Sequence, residues 1–102
     1  MENKFCVKIH RSYRTVVAIC DSDILGKKFE DEKRQLDLRE NFYKEQEVDE
    51  KKIRKIMQMQ SREDATFNIV GKNSIKISVE EQIFPEEAIS NITGIPFALK
   101  LI

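Results

Sequence analysis

The chain has 102 residues, with 18 Lys plus Arg against 18 Asp plus Glu, and this balance excludes both a histone-like basic coat and an acidic tail. That length suffices for one domain with a modest core and is too short for a catalytic domain joined to a regulatory one. At 40% hydrophobic and 35% charged residues it reads as soluble and globular, neither disordered nor membrane-spanning.

In chain order, Phe5, Val7 and Ile9 alternate with Cys6, Lys8 and His10, the period-two pattern of a half-buried strand. After the polar connection 11–14, residues 15–20 form a nearly continuous β-branched run, which suits a central strand covered on both faces. A hairpin centred on Tyr13 sets Cys6 across from Cys20; a register one residue different separates them. Asp21-Ser22-Asp23 is a turn or helix-cap cluster, and Gly26 closes a short loop or single helical turn over Ile24 and Leu25. Residues 28–30 and 35–39 read as two more strands around a solvated turn, with Leu36 and Leu38 on one face.

The clearest helix begins at Asp49, a good N-cap, with Val48 placed to staple onto Ile53. Ile53, Ile56, Met57 and Gln60 mark its buried stripe, and Glu50 with Arg54 makes a favourable i,i+4 pair. Residues 66–70 read as extended and end at Gly71. Over 73–83 the pattern fits a helix through Ile75, Val79 and Ile83, or a strand through Ile75, Ile77 and Val79. The Glu80-Glu81-Gln82 run and the stop before Pro85 favour a helix of about ten residues, with Asn73 available as its cap. Residues 88–92 and 97–102 are expected as terminal strands. The expectation is one α+β domain over residues 1–102, a mostly antiparallel sheet with two helices.

The zero net charge hides four blocks. Residues 1–29 carry +3, 30–50 carry −5, 51–62 carry +5 and 63–102 carry −3. The basic block is Lys51, Lys52, Arg54, Lys55 and Arg62 on the predicted helix, and Arg11 and Arg14 on the first turn are placed to extend it. Such a face binds phosphates, or it is a solvated helix face neutralised by the acidic segment before it.

No residue set has the specificity of a catalytic signature. One His excludes His-rich zinc sites, and no run approaches the ~20 apolar residues of a bilayer span. Met1-Glu2-Asn3-Lys4 opens no signal peptide, so a cytoplasmic, reducing location is expected, with Cys6 and Cys20 as free, packed thiols. Asp21 and Asp23 lack the Gly and distal Glu of a calcium loop, and helix capping is their better use. Gly26-Lys27-Lys28 lacks the upstream glycine of a P-loop. No metal or other cofactor is expected. His10 with Cys6 or Cys20 is a conceivable base–nucleophile pair, against an ordinary role at a strand end. Phe42-Tyr43 can stack on a base or pack over a sheet.

Taken jointly, Ala18-Ile19-Cys20-Asp21, Asp23-Ile24-Leu25-Gly26-Lys27 with Phe29, Phe42-Tyr43, Asn68-Ile69-Val70-Gly71 and Gly94-Ile95-Pro96 resemble a small archaeal family, domain of unknown function 424. The resemblance covers nearly the whole chain. It implies a compact α+β fold without an assigned activity, and an association with the translation machinery. Phe97 stands where the family tends to carry His, which removes an imidazole co-ligand for Cys20. Among the matching positions, Cys20, Asp21, Lys27, Tyr43 and Asn68 form the candidate motif surface, and an enzymatic reading, the third in order, would use Cys20 as nucleophile with Asp21 and Lys27. Arg11, Arg14, Lys51, Lys52 and Lys55 form the candidate phosphate-binding set. The expected function is a non-enzymatic, RNA- or ribosome-associated binding module. The alternative is a protein–protein module or homo-oligomer that uses the acidic 30–50 segment and the basic helix.

Overall fold

Two strands rich in β-branched residues, joined by a short polar turn, build the centre of the molecule. In a computed structural model that describes residues 3–99, they are β1 (Phe5–Arg11) and β2 (Thr15–Asp21). They pair antiparallel with Cys6 opposite Cys20, the register centred on Tyr13, whose side chain stands in solvent at the tip. A 3-10 turn at Ser22–Ile24 leads to β3 (Lys28–Glu30) and β4 (Gln35–Asp37), which pair only with each other. Then come α1 (Glu40–Tyr43), β5 (Gln46–Val48), α2 (Glu50–Arg62), β6 (Thr66–Val70) and α3 (Lys72–Glu80). A second 3-10 turn at Glu86–Ala88 precedes β7 (Ser90–Ile92) and β8 (Ile95–Leu99).

The main sheet has six strands in the order β5-β1-β2-β6-β8-β7. Only β2 and β6 run parallel; the remaining neighbours are antiparallel. Strand alternation sends the side chains to two cores. Phe5, Val7, Val17, Ile19, Phe67 and Ile69 pack beneath α2 and α3. Cys6, Ala18, Cys20 and Val70 pack beneath the β3–β4 hairpin and α1, together with Leu36, Leu38 and Tyr43. Burial on both faces accounts for the unbroken apolar run of β2.

The α+β class and the mostly antiparallel sheet stand as expected, and α1 adds a third, short helix. Its last carbonyls are met from β1: Lys8 Nζ donates to the Asn41 carbonyl at 2.7 Å, and His10 Nε2 lies 2.8 Å from the Phe42 carbonyl. α2 starts as its sequence dictates, with Asp49 accepting from the Lys52 N–H at 2.9 Å. The ambiguous 73–83 segment is helical as far as Glu80 and turns over 81–83, and Asn73 is not its cap. The helix starts one residue earlier, and a distant side chain caps it, as described below. The fourth strand ends at Asp37 rather than at residue 39. The penultimate strand is shorter than 88–92 because Ala88 closes a 3-10 turn. The last strand begins at Ile95 and takes in Pro96, whose carbonyl accepts from the Gly71 N–H at 2.9 Å. The expected extension of that strand over 100–102 lies outside the described residues.

Candidate functional site

The five motif residues divide between structural and exposed roles. Asp21, at the end of β2, is buried and reaches across to the start of α3. Its carboxylate accepts from the Asn73 N–H at 3.0 Å, the Ser74 N–H at 2.7 Å and the Ser74 hydroxyl at 2.6 Å. These are the orphan donors of a helix N-terminus, here satisfied by an acid 52 and 53 residues away. Capping was the expected use of Asp21, but the helix it caps is distant rather than the local turn. Gly71 makes the contact possible. Its φ is +116°, and a Cβ there would lie 2.5 Å from the Asp21 carboxyl carbon.

Cys20 is fully buried, and Cys6 opposite it is nearly so; both are free thiols. Burial, followed by the neighbouring Cys6 and Asp21, pushes the Cys20 thiol well above its ordinary range. A thiol in this state is no nucleophile. Alkylating reagent at pH 8 is therefore expected to leave both cysteines of the native protein unlabelled and to label them on unfolding; labelling of Cys20 in the folded state would contradict this placement. His10 cannot activate it, since its Nε2 is spent on the Phe42 carbonyl and its ring stacks on Phe42 with centroids 4.5 Å apart. Lys27 is exposed before β3, and no side-chain bond among the described residues ties it to the other four. No group of three or more His, Cys, Asp or Glu among the described residues can hold a metal ion.

Tyr43 and Asn68 do come together. The Tyr43 hydroxyl donates to Asn68 Oδ1 at 3.0 Å across the sheet. Burial raises the Tyr43 phenol, with the Cys20 side chain adding to the effect and the Asn68 bond opposing it. Both Cys20 and Tyr43 therefore stay protonated in the folded chain where an unfolded chain, with ordinary values of 9.0 and 10.0, releases its protons. The unfolded state then binds fewer protons, so stability is full below about pH 9 and falls as pH rises beyond it. The limiting slope is about 1.4 kcal/mol per pH unit for each group. Urea unfolding between pH 9 and 11 measures the slope, and Tyr43→Phe is expected to remove about half of it.

Around this bond lies an open cleft of about 550 Å³ between the sheet and the β4–α1 segment, with His10, Arg39, Phe42 and Leu99 on its walls. The residues come from β1, β4, α1, β6 and β8, so no sequence spacing announces them. Arg39 and Leu99 were missed for that reason.

The basic set lies on the other side of the sheet. Lys51, Lys52, Lys55 and Arg62 are exposed along α2, and Arg11, Tyr13 and Arg14 are exposed on the β1–β2 turn. Arg11 and Arg62 line one surface cleft of about 460 Å³ with the half-exposed Met59. None of these six cations forms an ion pair among the described residues. Arg54 differs: its guanidinium meets Glu50 at 3.0 Å, Glu80 at 2.6 Å and Glu81 at 2.8 Å. The neutralising acids thus come from the start of α2, the last residue of α3 and the residue after it, and they take one cation out of the block.

A buried, inert thiol, a distant helix cap and a basic face unpaired among the described residues, on a mostly antiparallel sheet, define a small α+β domain. The chain belongs to the family described as protein of unknown function (DUF424), which matches residues 10–101. It is similar in fold to an uncharacterised conserved protein from Methanopyrus kandleri, whose crystal structure superposes with a TM-score of 0.84 at 22% identity. That match covers 95% of this chain and 90% of the other. No curated protein matches the chain. Among the described residues, no helix is long and apolar enough to cross a membrane.

Proposed function

We propose that the protein is a non-enzymatic RNA-binding module that grips phosphates with α2 and the β1–β2 turn. The observation that carries this reading is the set of unpaired cations. Lys51, Lys55 and Arg62 recur at i, i+4 and i+11, which puts them on the outward stripe of α2, and Arg62 lines one cleft with Arg11 and with Glu63, which pairs with neither. Tyr13, 99% exposed between Arg11 and Arg14, supplies a ring on which an unpaired base can stack. The resemblance that points to the translation machinery makes ribosomal or translation-linked RNA the first substrate to test.

Filter binding on total cellular RNA over a salt series is the direct experiment. About five phosphate contacts to single-stranded RNA give a slope of log affinity against log salt near −3.5. Binding that is absent or indifferent to salt ends the proposal. The competing reading, in which the basic stripe meets the acidic 30–50 segment of another copy, instead yields salt-sensitive dimers in light scattering.

A further inference from the structure

We propose that the cleft between α1 and β6 is a nucleoside site, taking a neutral planar heterocycle that presents carbonyl acceptors, as uridine does. It goes beyond the RNA reading and is independent of it, because the cleft and α2 lie on opposite faces of the sheet.

The chemistry of the cleft selects this class. Its volume, about 550 Å³, falls in the range of small-molecule sites. On its floor the Tyr43 hydroxyl donates to Asn68 Oδ1, which turns the amide so that the Nδ2 donors are its unspent half. The phenol is protonated and donates throughout the neutral range, so the amide is held in this orientation there. On the rim, Arg39 spends Nε on Asp37 at 2.9 Å and leaves both Nη groups unspent among the described residues. Asn68 Nδ2 and the Arg39 Nη groups thus offer donors beside the Asp37 carboxylate as acceptor, and a ligand answers with carbonyl oxygens flanking an N–H, as the uracil edge does. Asp37 balances the guanidinium charge, which favours a neutral ligand over a phosphate. The stacked His10 and Phe42 rings and the 48% exposed Leu99 supply the apolar wall that a flat ring requires.

Titration of ¹⁵N-labelled protein with uridine and with adenosine, whose base has no carbonyl group, tests the site. Uridine is expected to shift the Asn68 side-chain amide and the backbone amides of Phe42 and Leu99 at millimolar concentration, with adenosine about tenfold weaker. Asn68→Asp keeps an acceptor for the Tyr43 hydroxyl and removes the donor; it is expected to lower uridine affinity about tenfold while RNA binding is unchanged. Arg39→Gln, at an exposed position where folding is not at stake, is expected to lower it about fivefold. No uridine shifts, shifts remote from the cleft, equal binding of adenosine, or wild-type affinity in both variants overturns the proposal.

Discussion

Gly71→Ala is expected to destabilise the protein by about 4 kcal/mol, the largest effect of any single methyl group added at a glycine of this chain. Two terms add. At φ +116° and ψ 152° the backbone lies in a region that is essentially reserved for glycine, and a side chain there costs about 1–3 kcal/mol. The added Cβ would also sit 2.5 to 2.9 Å from three atoms of the Asp21 carboxylate, so that carboxylate must leave the α3 N-terminus. Its departure strands the Asn73 and Ser74 N–H groups and the Ser74 hydroxyl in a buried place, at about 1–3 kcal/mol. Gly26 is the control: its φ is +83° with nothing within 4 Å of the added atom, so Gly26→Ala is expected to cost about 1 kcal/mol. In an Asp21→Ala background the clash has no partner, and Gly71→Ala falls to its strain term alone. Urea denaturation of the four proteins of this cycle, with Gly26→Ala beside them, measures the coupling. Equal costs at Gly26 and Gly71, or simple additivity with Asp21→Ala, would show that the carboxylate is not where the cap requires it.

The same junction shows why part of the molecule was legible in the sequence and part was not. β1, β2 and α2 are specified locally: alternation in Phe5, Val7 and Ile9, the β-branched run of β2, and the Asp49 cap all act within a few residues. α3 is ambiguous by that standard because Ile75, Ile77 and Val79 satisfy either period. What decides it is Gly71 turning the chain and Asp21 supplying the cap, a contact made only once β2 and β6 lie side by side. α1, four residues long, has no period to detect and depends on Lys8 and His10 for its carbonyl partners. The motif positions mislead for a related reason. Asp21 and Gly71 serve one packing device, Cys20 serves the core, and Tyr43 with Asn68 forms the floor of the cleft beneath α1. Polarity in a sequence does not distinguish a carboxylate that caps a buried helix from one that waits for a ligand.

Replacing Lys51, Lys55 and Arg62 together by Gln is expected to lower RNA affinity about 100-fold at low salt and to flatten the salt slope by about 2. Each of the three is exposed and unpaired among the described residues, so the folded state loses little, and stability is expected to change by less than about 0.5 kcal/mol. Arg54 supplies the opposite pattern from the same helix. Its guanidinium joins α2 to the end of α3 through Glu80 and Glu81, and Gln58 strengthens the junction by donating to Glu81 at 2.6 Å. Arg54→Gln leaves Glu50, Glu80 and Glu81 facing one another without a cation, and is expected to cost about 1 kcal/mol. An RNA phosphate has little to gain from a guanidinium already shared among three carboxylates, so RNA affinity and its salt slope should not move. Crossing the two measurements, unfolding and salt-dependent binding, over the two variants therefore separates charge that holds the fold from charge left for a partner. If Arg54→Gln weakens binding as much as the triple variant does, the RNA lies across the α2–α3 side rather than along the stripe that ends at Arg11. If the triple variant binds as the parent does, the unpaired cations are solvated surface and the RNA reading falls.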